Sequence, residues 1–171
     1  MDLFQTRRKV LAWLEQEQVP YEYYEHERAH TIEACLKMPF ITDDVTICKN
    51  ILLCNRQQTA YYLLLLKPLT PFRTSVVSKL LGSSRLSFAP EDSLENLLQL
   101  TSGSVSPLGL IFDSDKKIML CYESGVKATK KIAFHPCDNS ATIVFEQEIF
   151  WQKVVPCLDP GAACIVLPEN D

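Results

Sequence analysis

The sequence predicts a single α+β domain, spanning residues 1–171, with a mixed and mostly antiparallel β-sheet flanked by helices. A chain of 171 residues has the length of one domain. Hydrophobic residues make up 47% and charged residues 22%, which is typical of a globular protein that buries a full core. Helical and strand patterns are mixed without a strict βαβ alternation, which favours the α+β class over the α/β class.

Apolar periodicity and capping residues predict the helices. In the first helix, apolar residues recur at helical spacing from Leu3 to Leu14. Thr31 and Thr74 stand where an N-cap is expected, and Pro90 suits the opening of a helix. The predicted helices are residues 3–18, 31–38, 74–82 and 90–98, with a closing helix at 147–158.

Short apolar runs bounded by turn residues predict the strands. The first half of the chain contains helices and strands in alternation, whereas after residue 100 the pattern becomes mainly β. The predicted strands are residues 19–26, 45–54, 60–66, 107–113, 117–123, 131–136 and 141–146.

Composition excludes several classes of protein. A formal net charge of −4 does not suit a protein that wraps long nucleic acid, so contact with nucleic acid is expected to be local, and DNA is not an expected partner. The longest apolar run, residues 60–66, is too short to cross a bilayer, and no secretory signal is visible at the N-terminus. We therefore expect a cytoplasmic protein without a membrane partner.

The cysteines indicate neither disulfides nor a metal site. Their number, seven, is odd, and no Cys-x-x-Cys pair occurs. Most of them lie in apolar runs, as reduced core thiols do. No metal and no cofactor is predicted.

Lys49 and Asn50 interrupt the apolar strand predicted at 45–54. Alternation would place Lys49 on one face with Ile47 and Ile51, and Asn50 on the other face, which is also apolar. Burying an unpaired ammonium costs several kcal/mol. One interpretation is a strand-end lysine that reaches outward to solvent. The functional interpretation is a lysine that points into a cleft and binds an anion or a carbonyl oxygen.

The segment "TSGSVSPLGL" (101–110) contains a second candidate feature. Gly103 permits unusual backbone angles, and Pro107 fixes the chain four residues later. The residues between them, Ser104, Val105 and Ser106, have free backbone amides that could converge on one oxygen, as in an oxyanion hole. An ordinary Gly/Ser/Pro turn is the alternative, and spacing alone favours it.

The third candidate feature is "FHPCDNSATIVF" (134–145), where His135 ends a predicted strand and Asn139 follows in the turn. A lone histidine in this setting is more often structural than catalytic. Ser104 or Ser106 could pair with His135, but no acidic third member of a triad is evident.

Together these segments resemble a known family. "CKNILL", "RLSFAPEDSLENLLQLTSGSVSPLGLIFD" and "FHPCDNSAT" follow the order and spacing of the YbaK-like aminoacyl-tRNA deacylases, which are related to the editing insertion of bacterial prolyl-tRNA synthetase. The resemblance extends from about residue 7 to residue 155. It is closest to the free-standing prolyl-tRNA editing proteins, which remove alanine from mischarged tRNA(Pro).

Two details refine the resemblance. The alanine-clearing subgroup has a His-Pro-x-x-Asn segment, present here as His135, Pro136 and Asn139, whereas the cysteine-clearing branch has a Gly-Arg segment. The sequence departs from the family at its His-Pro-Pro segment, which here reads His26, Glu27 and Arg28, although Thr31 still matches.

The resemblance implies an aminoacyl-tRNA deacylase that hydrolyses Ala-tRNA(Pro). A deacylase for Cys- or Ser-charged tRNA and a non-catalytic regulator that binds aminoacyl-tRNA are the alternatives. The implied partner is the acceptor end of tRNA(Pro) carrying a non-cognate amino acid, with prolyl-tRNA synthetase as a further candidate partner.

The resemblance also implies roles for individual residues. Lys49 is expected to lie at the mouth of the amino-acid pocket and to be needed for activity, and His135 is expected to line the pocket and influence which aminoacyl group fits. The expected catalytic residues are Lys49, Gly103, Ser104 and Val105. The expected substrate-binding residues are Asn50, Ser106, Pro107, His135, Asn139, Thr31 and Ile47.

Overall fold

The computed structural model describes residues 2–168. The helices are α1 (Leu3–Gln16), α2 (Ile32–Leu36), α3 (Thr74–Leu80), α4 (Glu91–Leu98), α5 (Gln147–Ile149) and α6 (Val155–Leu158). The strands are β1 (Glu22–Glu25), β2 (Val45–Ile47), β3 (Lys49–Asn55), β4 (Tyr61–Leu66), β5 (Leu86–Phe88), β6 (Ile118–Glu123), β7 (Lys131–Phe134), β8 (Ala141–Glu146) and β9 (Ala163–Ile165). Short 3-10 helices occupy Ser102–Ser104, Pro107–Phe112 and Ser124–Lys127.

The strands form two mixed sheets, not the one sheet that the sequence predicts. One has the order β1-β8-β7-β2, and the other has the order β5-β3-β4-β6-β9. The pairs β2–β7, β4–β6 and β6–β9 are parallel, and the other four pairs are antiparallel. The predicted α+β class with a mostly antiparallel arrangement is therefore confirmed, with the strands divided between two sheets.

The second sheet exists because the predicted strand 45–54 breaks at Cys48. The amide of Cys48 still bonds to the carbonyl of Ala133 in the first sheet (3.3 Å), whereas Lys49 already pairs with Leu66 in the second. The prediction that Ile47 shares a strand face with Lys49 is therefore wrong. The crossing places Lys49 and Asn50 where the chain passes between the sheets.

The predicted strand 107–113 is also wrong, because Pro107–Phe112 is a 3-10 helix. Pro107 lacks an amide proton and has a helical φ, so it favours the first position of a helix. The Ser106 hydroxyl caps this helix by accepting from the Leu108 amide at 3.2 Å. A short apolar run buried on every side has the same pattern in a helix and in a strand, which explains the error.

The closing helix is confirmed over residues 147–158, with one irregularity. Between α5 and α6, the residues Phe150–Val154 form a π-helical turn. Pro156 follows this turn and cannot donate an amide to the preceding turn, which accounts for the local change in hydrogen bonding. The three-residue strands β5 and β9 were not predicted, because runs this short carry too little periodicity.

The largest hydrophobic cluster lies beneath α1 and the closing helix. Val10 and Leu14 of α1 are fully buried in it. The rings of Phe134, Phe145 and Phe150 pack together in it at tilted angles, with those of Phe134 and Phe150 4.7 Å apart. Within residues 2–168, no helix is long and apolar enough to cross a membrane.

Candidate active site

A small pocket opens where the two sheets meet. Its volume is about 140 Å³, below the range of roughly 300–1,000 Å³ that is usual for drug-sized ligands. Its size therefore suits a group as small as an amino acid. The lining residues are Ala29, His30, Thr31, Ile32, Cys35, Cys48, Lys49, Asn50, Ser102, Gly103, Val105 and His135.

Lys49 lies at the start of β3 and is one of the residues that line this pocket. Its Nζ donates to the carbonyl oxygen of Thr70 at 2.7 Å and lies 5.6 Å from the centre of the Phe72 ring. An ammonium has three donors, so two N–H groups remain for an incoming oxygen. Burial lowers the pKa of Lys49, and the nearby carboxylates of Glu123 and Glu33 oppose that effect.

Asn50 points to the opposite face of β3, toward the 101–107 loop. Its Nδ2 donates to the carbonyl of Val105 at 3.0 Å, which orients the amide and leaves Oδ1 as the free end. Within residues 2–168, Asn50 Oδ1 and the Ser104 hydroxyl are the two buried side-chain polar atoms without a hydrogen-bond partner. Such atoms are uncommon in folded proteins, because each costs about 1–3 kcal/mol.

The amides of the 101–107 loop are only partly available. The Ser104 amide donates to the Thr101 carbonyl at 2.9 Å, and the Ser102 amide donates to the carboxylate of Glu91 at 3.1 Å. The amide of Gly103 has no partner among the residues that the structure describes. The Val105 amide also has no partner in the described part of the chain, so Gly103 and Val105 are the available donors of this loop that line the pocket, whereas the Ser104 amide is already occupied.

Gly103 is not needed for its backbone conformation, contrary to the expectation from the sequence. Among the described residues, the glycine with positive φ is Gly82, at +65°. A Cβ at Gly103 would meet only Nδ2 of Asn139, at 3.4 Å, which is close to ordinary van der Waals contact. The protein itself could therefore accommodate a side chain here, and the glycine instead leaves open space on the pocket wall.

His135 closes the pocket as a neutral imidazole. Its Nδ1 lies 2.7 Å from the carbonyl of Ala141, which can only accept, so Nδ1 carries the proton. Its Nε2 is then an acceptor and lies 3.6 Å from the Cys35 sulfur. Burial lowers the pKa of His135 and raises that of Cys35, so both groups favour their neutral forms and the thiol can donate to the ring.

Behind His135, a polar network holds the 135–140 turn against the 28–30 segment. The Ala29 amide donates to the Asn139 carbonyl at 3.0 Å, and Asn139 Nδ2 donates to the Ala29 carbonyl at 3.2 Å. Arg28 donates to both Asn139 Oδ1 (2.8 Å) and Asp138 Oδ1 (2.9 Å). Arg7 approaches the other carboxylate oxygen of buried Asp138 at 3.5 Å. The departure from the family pattern at Arg28 therefore serves a structural purpose.

The remaining predicted residues have varied positions. Thr31 caps α2 by accepting from the Ala34 amide at 3.1 Å, and it also lines the pocket. Ile47 packs in a buried cluster with Ala29 and Cys35 and is not among the lining residues. Ser106 caps the following 3-10 helix, which Pro107 opens, and neither is among the lining residues.

Sequence reasoning missed several lining residues. They are Ala29, His30, Ile32, Cys35, Cys48 and Ser102. Two of them could have been found, because Cys35 lies one helical turn beyond Thr31 and Cys48 directly precedes Lys49. The described part of the chain contains no group of three or more side chains suited to hold a metal ion.

Comparison with known proteins places this geometry in a family. Residues 26–150 match the family described as the aminoacyl-tRNA editing domain. The chain is 32% identical over 143 residues to the prolyl-tRNA editing protein ProX of Acetoanaerobium sticklandii, a match that covers 84% of this chain and 87% of that protein.

Solved structures show the same fold. A putative trans-editing enzyme for prolyl-tRNA synthetase superposes with a TM-score of 0.73 at 15% identity, over 96% of this chain and 98% of that one. A protein solved as a hypothetical protein superposes with a TM-score of 0.72 at 14% identity, over 92% and 98% of the two chains. With the matched domain covering more than half of its length, the chain belongs to the aminoacyl-tRNA editing domain family.

Proposed function

We propose that this protein hydrolyses the ester bond of Ala-tRNA(Pro) and so clears alanine from mischarged tRNA. The observation that carries the proposal is the amino-acid-sized pocket, which a lysine and a glycine help to line. The 32% identical relative is a prolyl-tRNA editing protein, which supports tRNA(Pro) as the carrier.

The reaction requires a positioned water and stabilisation of an oxyanion. Water adds to the ester carbonyl carbon, and negative charge develops on the carbonyl oxygen. The unpaired amide of Gly103 is the donor that we assign to this oxygen. The bond between the carbonyl carbon and the ribose oxygen then breaks, the ribose oxygen takes a proton, and alanine leaves.

Lys49 and Asn50 supply the polar contacts at the mouth. The two free N–H groups of Lys49 can bind the terminal phosphate or the carbonyl oxygen of the substrate. The unpaired Oδ1 of Asn50 can accept from the α-ammonium group or from a ribose hydroxyl. The 2′-hydroxyl of the terminal ribose can help to orient the attacking water, a group that RNA provides and DNA lacks.

Selection against proline would rest on size. A binding site alone gains only about 1–3 kcal/mol from an extra methylene, so a synthetase cannot exclude a smaller amino acid by affinity. A second, editing site can select in the opposite direction, because it admits the smaller amino acid and sterically excludes the larger one. His135 is fixed at both ring nitrogens, which makes it a rigid wall against the proline ring.

The same reasoning extends to partners and location. We propose the acceptor end of tRNA(Pro) as the ligand and prolyl-tRNA synthetase as the enzyme whose errors are corrected. Aminoacyl-tRNA is made and used in the cytoplasm, so we place the activity there. We also propose that residues 1–171 act as one editing domain, since α1 and the closing helix pack on the same core.

The test is a panel of aminoacyl-tRNA(Pro) substrates with measured initial deacylation rates. We expect Ala-tRNA(Pro) to be hydrolysed about 100-fold or more faster than Pro-tRNA(Pro), because a steric clash can exceed the energy of one lost contact. His135→Ala should narrow this ratio, provided that its melting curve shows a folded protein.

Other outcomes of the panel identify the alternatives. Equal rates for the alanyl and prolyl substrates would contradict an editing role. A preference for cysteinyl- or seryl-tRNA would reassign the substrate within the same chemistry. Binding of Ala-tRNA(Pro) without release of alanine would indicate a non-catalytic regulator.

A further inference from the structure

Beside the pocket, exposed Phe88 and half-buried Phe72 form a surface that the deacylation chemistry does not use. Phe88, on the edge strand β5, is 63% exposed, and its ring lies 6.1 Å from the Phe72 ring at an angle of 71°. We call the surface formed by Phe72 and Phe88 the aromatic ledge. A large exposed aromatic residue next to a binding pocket is a candidate contact for a ligand.

The ledge is continuous with the pocket mouth through Lys49. The Lys49 ammonium lies 5.6 Å from the centre of the Phe72 ring, and the same Nζ binds the Thr70 carbonyl. Thr70 also belongs to the 67–71 segment, which lines a shallow groove of about 440 Å³. A ligand whose reacting end enters the pocket would therefore pass Lys49 and reach Phe72 next.

Two exposed arginines adjoin the ledge along the chain and can bind an anionic ligand. Arg73 directly follows Phe72, and Arg85 precedes Phe88 by three residues; both are exposed. Within residues 2–168, neither arginine forms a salt bridge, in contrast to Arg7 and Arg28. Unpaired cations beside exposed aromatic rings are the combination that binds single-stranded nucleic acid, with the rings stacking on bases and the cations holding phosphates.

We propose that the aromatic ledge stacks a base of the single-stranded 3′ end of the RNA substrate while the aminoacyl group occupies the pocket. This inference rests on the proposed function, because it takes the carrier of the amino acid to be RNA. It assigns Phe88 as the main stacking residue and Phe72 as the ring that connects the ledge to Lys49.

The test uses an uncharged RNA hairpin with an acceptor stem and a single-stranded 3′ end in which 2-aminopurine replaces the terminal adenine. Stacking on Phe88 should quench its fluorescence when wild-type protein is added. Phe88→Ala should weaken binding by about tenfold, as expected for the loss of one base–aromatic stack, and Phe88→Trp should restore it. Phe4→Ala is the matched control, because Phe4 is 51% exposed on α1.

A second measurement separates this inference from the proposed function. With Ala-tRNA(Pro), Phe88→Ala should raise KM by about tenfold and leave kcat unchanged, because the ring binds the carrier and not the reacting ester. Wild-type protein that deacylates no aminoacyl-tRNA would refute the proposed function. Two results would overturn the ledge. One is normal deacylation by the wild type in which Phe88→Ala is indistinguishable from Phe4→Ala. The other is RNA binding that Phe88→Ala leaves unchanged while the same surface binds another protein.

Discussion

The 135–142 side of the pocket, which we call the histidine wall, differs from the side made by Asn50 and the 101–107 loop, which we call the loop wall. On the histidine wall, both ring nitrogens of His135 and both carboxylate oxygens of Asp138 have partners. On the loop wall, Asn50 Oδ1 and the Ser104 hydroxyl are buried without a partner among residues 2–168, and of these two residues it is Asn50 that lines the pocket.

This difference indicates that one wall fixes the shape of the pocket, whereas the other binds the substrate. A network in which each member is paired holds its side chains in one arrangement, which suits a wall that measures size. Buried polar groups without partners cost free energy, and they are kept where a ligand supplies the missing partner. We infer that the histidine wall determines what fits and that the loop wall holds the polar part of the substrate.

The largest expected effect is at Lys49, which lines the pocket next to Asn50 of the loop wall. Lys49→Met keeps the aliphatic stem but removes the ammonium, and deacylation should fall by about 100-fold or more, as for the loss of an oxyanion donor. Initial rates with Ala-tRNA(Pro) measure the effect, with Lys9→Met, at an exposed position of α1, as the control. Near-normal turnover by folded Lys49→Met would remove the lysine from the mechanism.

Asp138→Ala should destabilise the histidine wall and so lower the free energy of unfolding. The change leaves Arg7 and Arg28 without their buried partner and removes the acceptor of the Ser140 amide. Loss of one member of a buried ion pair costs about 3–5 kcal/mol, and we expect about 2–4 kcal/mol because Arg28 is half exposed.

Urea unfolding measures the effect of Asp138→Ala. Asp138→Asn keeps the shape and one acceptor, so it should cost less, and Asp92→Ala at the exposed start of α4 is the control for loss of a carboxylate. A free energy of unfolding within about 0.5 kcal/mol of wild type, the usual range for surface changes, would show that the network does not stabilise this wall.

Gly103→Ala should separate stability from activity on the loop wall. The added methyl meets only Asn139 Nδ2 at 3.4 Å, and φ is not left-handed, so the free energy of unfolding should stay the same or rise by about 0.5 kcal/mol. The same methyl takes up space on the pocket wall, so the deacylation rate should fall by about tenfold, which corresponds to about 1.4 kcal/mol.

Matched measurements of unfolding and turnover on the same Gly103→Ala preparation test this separation. Gly125→Ala is the comparison, because its Cβ would meet the flexible side chain of Lys67 and not the pocket. Full activity in Gly103→Ala would mean that substrate does not approach the loop wall at this position.

The smallest effect concerns pH and His135. Its pKa is lowered in the folded protein, chiefly by burial, so below the unfolded pKa of about 6.5 the unfolded chain binds more protons than the folded one. Stability should therefore fall as the pH drops from about 7.5 toward 5.5. His135→Gln should flatten this slope in parallel urea titrations, and identical slopes would show that His135 does not contribute to the pH dependence.

Local sequence determined much of the secondary structure. Helical spacing in α1, the Thr31 cap, the paired strands β3 and β4, and the closing helix depend on neighbours along the chain, and the structure has each of them. Lys49 was recognisable because a charge inside an apolar strand is costly wherever that strand packs.

Tertiary packing decided the rest. Nothing local to residues 45–54 indicates that the chain leaves one sheet and enters another at Cys48, because each half pairs with strands distant in sequence. The contacts of Arg28 with Asp138 and of Phe72 with Phe88 likewise join separate segments. Periodicity and propensity report how a residue suits its own helix or strand, whereas the partners of a side chain depend on long-range packing, which decided the sheet break, the histidine wall and the aromatic ledge.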